Sequence, residues 1–261
     1  MGEPREPLQR RFDAGTAIPW YGVAELPPRA GVLTAWFNSP AADIDDCPVL
    51  AGENPFNGSA VGLDSWSSPR QPLRTALPDL QSVASGPARC VLPVPGDLGG
   101  APATLRLAIT AGQAVVVPVG TASIVVVPTS VGSPDAAVWQ AQRIDSVVPA
   151  APSVREARLE VLALTTDAIE LLSSAPAPAR DERELARRLA ELDRLPLPPG
   201  MSGRAAALAT DSARLLAIVA AAAAGADPGT SSGRLLLRAV APLAAAGRRG
   251  LASALSLPTT G

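Results

Sequence analysis

The residues best placed to do chemistry lie in one short stretch, Pro93-Val-Pro-Gly-Asp-Leu-Gly-Gly100, between a strand-like run and a helix-like run. Ligands of α/β units collect at the carboxyl ends of strands, and a glycine loop opening a helix presents bare N–H groups to an anion. Gly96, Gly99 and Gly100 would supply that backbone, and Asp97 would contact a ligand hydroxyl or a metal-bound water. The spacing G-x-x-G-G departs from the dinucleotide fingerprint G-x-G-x-x-G, and no phosphate-loop lysine accompanies it. An acid inside the loop also repels phosphate. The competing expectation is a tight turn followed by a helix cap.

The rest of the chemical vocabulary is narrow. The chain has no histidine and no lysine, so all 22 basic side chains are arginine. That removes imidazole bases, His-ligated metals and Schiff-base lysines. Missing lysine beside abundant Ala, Arg, Pro and Gly fits a high-GC genome; missing histidine restricts the chemistry more. Asp43, Asp45 and Asp46 form an oxygen-rich cluster of the kind that suits Mg²⁺ or Ca²⁺, but the EF-hand spacing fails. A solvated helix start explains them equally. Ser65, Ser67, Ser68 and Ser82 offer hydroxyls without a base. Cys47 and Cys90 form no CxxC pair and are expected as reduced, buried thiols. No catalytic residue, metal or cofactor is assigned.

Two further sets of residues could meet a protein partner. Seven of the eight aromatics fall before residue 85, among them Trp20, Tyr21, Trp36 and Trp66. Such side chains serve interface hot spots, or anchor an irregular segment onto a core. The second set is Arg234, Arg238, Arg248 and Arg249, in a segment without an acid after Asp227. Arg234 and Arg238 are spaced to share a helix face. An acidic protein partner, or nucleic acid, would suit them; a solvated face is the plainer expectation. No aromatics accompany these arginines, so no base-stacking platform is indicated.

The elements that must position these residues divide the chain in three. Residues 1–84 read as an irregular, aromatic-rich region with short helices at 29–38 and 76–84 and a loop over 51–72. Residues 85–150 carry a strand at 89–94, a helix at 102–111, valine-rich strands at 114–119 and 122–128 joined by Gly120-Thr121, and a further strand at 136–143. The continuous apolar runs predict strands buried on both faces. Residues 151–261 read as a helical bundle. Ser153 and Glu156 make a capping box for a helix over 154–173, with Leu159, Leu162, Ile169 and Leu172 beside Val161 and Ala168 as its apolar stripe. Asp181 with Glu184 opens the next helix, Ser202 caps 203–224, and Ser232 caps a last helix containing Pro242. The fold class is α+β: a small mixed β-sheet with a β-α-β start, then a C-terminal antiparallel helical bundle, the three regions forming one interdependent domain.

Composition bounds the function. Net charge is −2, against a strongly basic nucleic-acid binder. Residues 1–150 hold 9 Arg against 13 acids, and residues 151–261 hold 13 Arg against 11 acids. The uncharged stretch from Leu107 to Pro134 is broken by Gly and Pro, and no signal peptide or membrane span is read.

Cys90-Val-Leu-Pro-Val-Pro-Gly-Asp97, Ala108 to Val117 and Val32 to Trp36 together resemble a high-GC actinobacterial family that shares an LPxPGD loop and has no assigned activity. The similarity runs more weakly through the C-terminal helices. Leu98 stands where that family often carries proline. The resemblance implies an actinobacterial, cytoplasmic protein and no particular reaction. The expectation is a non-enzymatic interaction or regulatory protein with a protein partner. The alternatives are a small-ligand or nucleotide-binding protein using the Pro93–Gly100 loop, and a nucleic-acid-associated protein using the last helix.

Overall fold

The computed structural model describes residues 26–40, 42–50, 55–57, 71–103, 105–131, 133–172 and 182–258. Among them the valine-rich runs form the centre of a six-stranded sheet. Strands β1 (Pro55–Asn57), β2 (Gln71–Pro72), β3 (Arg89–Val91), β4 (Ala114–Val119), β5 (Ala122–Val131) and β6 (Ser133–Ile144) lie in the order β2-β1-β6-β5-β4-β3. Strands β3 to β6 are antiparallel, and β1 pairs parallel to β6, so the sheet is mixed as expected. Strands β1 and β2 arise at the edges of a stretch expected to be loop. The two-residue turn at Gly120-Thr121 joins β4 to β5, with Val119 facing Ala122. Because β3 and β4 run antiparallel, helix α3 (Arg106–Ala111) between them is an excursion rather than a parallel crossover.

Both faces of the sheet are covered. Val115, Val117, Ile124 and Val126 point to one face and pack with Trp139, Leu33, Leu73, Leu77 and Leu80. These leucines come from helices α1 (Arg29–Phe37) and α2 (Leu73–Val83). Ala114, Val116, Val125 and Val127 point to the other face, with Leu105 and Ala108 beside α3. The period of two thus sorts one apolar run between two cores.

Helices α4 (Val154–Leu172), α5 (Glu182–Leu192), α6 (Gly203–Ala224) and α7 (Ser231–Leu255) form the C-terminal layer. Ser153 and Glu156 make the expected capping box, the Ser153 N–H donating to Glu156 at 2.9 Å and the Glu156 N–H to Ser153 Oγ at 3.2 Å. Ser202 caps α6 and Gly225 closes it. The last helix begins earlier than expected: Thr230, not Ser232, caps α7 by accepting from the Gly233 N–H at 3.0 Å. Asp181 lies outside the described residues. Helix α6 has the length and composition to cross a membrane, with mean hydropathy 1.5, yet half of that window is buried inside the protein, where Leu208, Ala209, Ala213 and Leu216 join a core cluster. Its apolarity has a packing explanation.

Small residues let α7 approach its neighbours. A Cβ added to Gly250 would lie 2.4 Å from Ser212 Oγ of α6 and 3.4 Å from Val161 of α4. Helix α4 turns Ala157, Val161 and Ala168 inward, whereas Leu159, Leu162 and Ile169 face out. The expected stripe therefore splits, with the smaller members inside and the larger ones outside.

The helical layer is tied to the sheet at the free edge of β3. Ser256, at the end of α7, accepts from the Cys90 N–H at 2.9 Å through its hydroxyl. Asn38 accepts from the Ala88 N–H and donates to the carbonyls of Ala88 and Ser256. An edge strand otherwise leaves such groups exposed to other chains. Trp36 donates its indole N–H to the Pro196 carbonyl at 3.1 Å, linking α1 to the segment before α6.

Candidate functional site

The 93–100 loop turns sharply just past β3. Val94 and Asp97 exchange backbone hydrogen bonds at 2.8 and 2.9 Å, with Pro95 and Gly96 at the central positions. Gly96 has φ +89°, the left-handed value that the second central position of a type II turn demands. The tight-turn half of the competing expectation is thus present. The helix half is not: α3 starts at Arg106 rather than at residue 102, and its N-cap, Leu105, offers no side-chain cap. The glycine loop therefore does not open directly onto a helix N-terminus, and the expected cradle of helix N–H groups is not formed. Pro102 instead closes a turn with Leu105.

What the loop meets is the far end of α7. Asp97 Oδ2 accepts from Arg248 Nη2 at 2.8 Å, across 151 positions of sequence, and Arg249 lies 3.7 Å away. The Asp97 Oδ1 accepts from the Gly99 N–H at 3.3 Å. Arg249 also forks onto Glu160 of α4, with Nε at 3.1 Å. The loop acid and two of the four last-helix arginines, Arg248 and Arg249, are thus parts of one cluster. Arg248 is buried, its side chain only 6% exposed, which a guanidinium tolerates only with partners.

A cleft of about 260 Å³ opens here. Arg89, Arg248 and Arg249 supply its charge together with Asp97, and Gly99 and Gly100 its backbone. The wall from Pro149 to Pro152 is apolar, and Leu92 and Ala252 add to it. Ser253 also lines it, 2% exposed, with a hydroxyl that finds no hydrogen-bond partner. Arg89 escaped the sequence reading because a lone arginine at the start of a strand carries no pattern. It donates to the Val148 carbonyl at 3.1 Å, and its Nε is buried without a partner.

The electrostatics follow from this packing. Burial pushes the Asp97 carboxyl up, but the hydrogen bond and charge of Arg248, the Gly99 N–H and the charge of Arg249 outweigh it and leave it below its ordinary value. Burial lowers Arg89, with partial relief from Cys90. The Arg249 guanidinium is raised by its hydrogen bond to Glu160. Burial also drives the Cys90 thiol up to about 12, so it is no thiolate nucleophile at neutral pH. Cys47, likewise free and buried, is pushed up to about 11.

The other sequence candidates lie elsewhere. Arg234 reaches back to the carbonyls of Pro228 and Gly229, and Arg238 is exposed one turn on. Ten residues separate Arg238 from Arg248, about 15 Å along a helix, so the four arginines do not make one basic face. Trp36 is buried in the core beside the sheet, as an anchor rather than an exposed contact. Trp20, Tyr21 and Trp66, with Ser65, Ser67 and Ser68, lie outside the described residues. Asp43 caps a single helical turn, accepting from the Asp45 N–H at 3.0 Å. Among the described residues no group of three or more acids or cysteines is placed to hold a metal ion.

No curated protein and no solved structure matches the chain. The stretch from Gly31 to Arg155, which runs from α1 through the sheet to the first turn of α4, contains Arg89 and Asp97 and stops short of Arg248 and Arg249. Over those residues, 31–155 and just under half of the chain, the protein is similar to the family described as Rv1486c-like protein, N-terminal domain.

Proposed function

We propose that the protein binds a small anionic ligand in the cleft between the 93–100 loop and α7, as a cytoplasmic binding or regulatory protein rather than a catalyst. The observation that carries this reading is Arg89. It lines the cleft, donates to the Val148 carbonyl and has no carboxylate partner among the described residues, beside two arginines whose carboxylates are already assigned. A carboxylate or phosphate oxygen entering the cleft gives this guanidinium a charged acceptor, and its planar fork matches such groups. Binding rather than catalysis is favoured by what surrounds the ligand: a carboxylate held ionised, a protonated thiol and arginines. None of these exchanges a proton readily near neutrality. The two free buried cysteines favour a reducing compartment. The test is calorimetric titration of benzoate, in low-chloride buffer, into the protein and into Arg89→Gln. Saturable heat lost in the variant is expected; equal binding by the variant overturns the reading.

A protein partner is a second reading, and α4 favours it. Leu159, Leu162 and Ile169 are 57%, 55% and 65% exposed on its outer side. Large side chains at such spacing form a seam for another helix. We propose a second copy of this chain as the occupant. An antiparallel α4 sets Leu159 against Ile169 and brings Arg155 and Arg158, which alternate with Glu156 and Glu160 in the first turns, toward Asp167 of the other copy. Light scattering should find a dimer that Leu162→Glu dissociates. A wild-type protein that stays monomeric at tens of micromolar contradicts it.

A further inference from the structure

Resting on the anion-binding reading, we infer that the cleft selects a compact monoanion with an apolar body, such as a medium-chain or aromatic carboxylate, over phosphates and nucleotides. Three observations converge on this class. The first is charge. Arg89, Arg248 and Arg249 face Asp97 and Glu160, so two of three cations are matched inside the protein and one remains for the ligand. A second or third ligand charge would find no cation left and would face Asp97, whose carboxylate stands at the cleft wall. Like charges at such range are repelled strongly where water is scarce.

The second observation is the wall. Leu92, Ala252 and the run Pro149, Ala150, Ala151 and Pro152 present carbon to the ligand. Prolines at 149 and 152 carry no N–H, so this side has few donors to offer a sugar or a polyphosphate. A hydrocarbon body gains by leaving water there. The third is size. About 260 Å³ lies at or below the small end of ligand sites and suits a body of roughly a dozen heavy atoms, too small for a nucleotide. Ser253, a lining residue that is buried and without a partner, offers one neutral polar group and so fits a hydroxyl or carbonyl on the ligand body. Inorganic phosphate fills the charge but not the wall. A nucleoside triphosphate fits neither the charge nor the volume.

The discriminating experiment compares acetate, benzoate, octanoate, inorganic phosphate and ATP by thermal shift and competition calorimetry on the full chain. The probes are tested on the wild type, Arg89→Gln and Asp97→Asn. Benzoate and octanoate are expected to raise Tm saturably, binding at least tenfold more tightly than acetate or phosphate, with ATP giving no shift. Asp97→Asn should narrow the gap between benzoate and phosphate, because the repelling charge is gone. If phosphate or ATP binds most tightly and Arg89→Gln abolishes it, the monoanion inference is overturned while the anion-binding reading stands. If no anion binds, or if binding survives Arg89→Gln undiminished, both fall. Where Asp97→Asn proves too unstable to assay, Ser253→Ala replaces it. A several-fold loss for 3-hydroxybenzoate, with benzoate unchanged, supports the inference, and an equal loss for both contradicts it.

Discussion

At its first turns α7 sends Arg234 back to two loop carbonyls and leaves Arg238 in water, whereas near its end Arg248 is buried on Asp97 and Arg249 is forked onto Glu160. The side chains are the same and the helix is the same. The difference lies in what other elements bring. At the first end Arg234 bonds only carbonyls of the chain's own turn among the described residues, and Arg238 is exposed. At the second, the 93–100 loop, α4 and β3 converge around the cleft, and Arg248 is buried. Two charges 4 Å apart interact by about 1 kcal/mol in water but about 4 kcal/mol at an effective dielectric constant near 20. Helix α5 supplies a third case: Glu184 pairs with Arg187 and Arg188 of its own helix on a solvent-facing surface, at i,i+3 and i,i+4. An arginine becomes part of a site by position in the fold, and spacing along its own helix does not reveal it.

Removing the acid at the second end should have the largest effect. Asp97→Ala leaves Arg248 buried without its ion-pair partner, which in a fully enclosed pair costs about 3–5 kcal/mol. Asp97 keeps 31% of its side chain in water, so the expected loss is about 2–3 kcal/mol, read from the urea midpoint. A loss under about 0.5 kcal/mol, the range of ordinary surface changes, would mean that the two ends of α7 are alike after all.

Next comes the packing that holds the second end in place. Gly250→Ala puts a methyl 2.4 Å from Ser212 Oγ and should cost about 1–3 kcal/mol, as overpacking does. Ser212→Ala in the same protein should recover part of that loss. Equal stability of the single variant and the wild type would show that α7 is free to shift.

Acid titration sharpens the comparison further. The folded state holds Asp97 below its ordinary value of 3.8, so the unfolded chain takes up its proton first as pH falls. Its contribution is complete above that value and is lost as pH falls through the lowered folded-state value. The stability gap between wild type and Asp97→Asn, measured by urea midpoints from pH 6 to pH 2, should therefore narrow only below about pH 4. A gap that is flat across that range contradicts the assignment. The smallest effect belongs to the first end: Arg234→Ala with Arg238→Ala should stay within about 0.5 kcal/mol of wild type.

Much of the fold was legible because its signals are local. The valine runs around Gly120-Thr121, the Ser153–Glu156 capping box, and Ser202 with Gly225 each specify structure within a few residues, and each appears as read. The misses have non-local causes. The side of α4 that turns inward meets small residues of α7 and α6, with Val161 close against Gly250 and Ala157 in the same helical core as Ala209 and Ala213. The start of α3 at Arg106 follows from the turn that Pro102 closes, which consumes the first expected helical residues. The site was half legible. Gly96 and Asp97 announced a turn and an acid, and Arg248 and Arg249 announced charge. Their meeting spans 151 positions and depends on the end of α7 docking beside β3, which no spacing rule encodes. Arg89 was invisible because its role arises only from burial.

The most direct measurement is a crystal structure grown with 4-bromobenzoate, located by the anomalous scattering of its bromine. A peak against the wall of Pro149 to Pro152, with the carboxylate on Arg89, is the predicted result. Ligand found only at Arg234 and Arg238, or a clear cleft at saturating concentration, would contradict it.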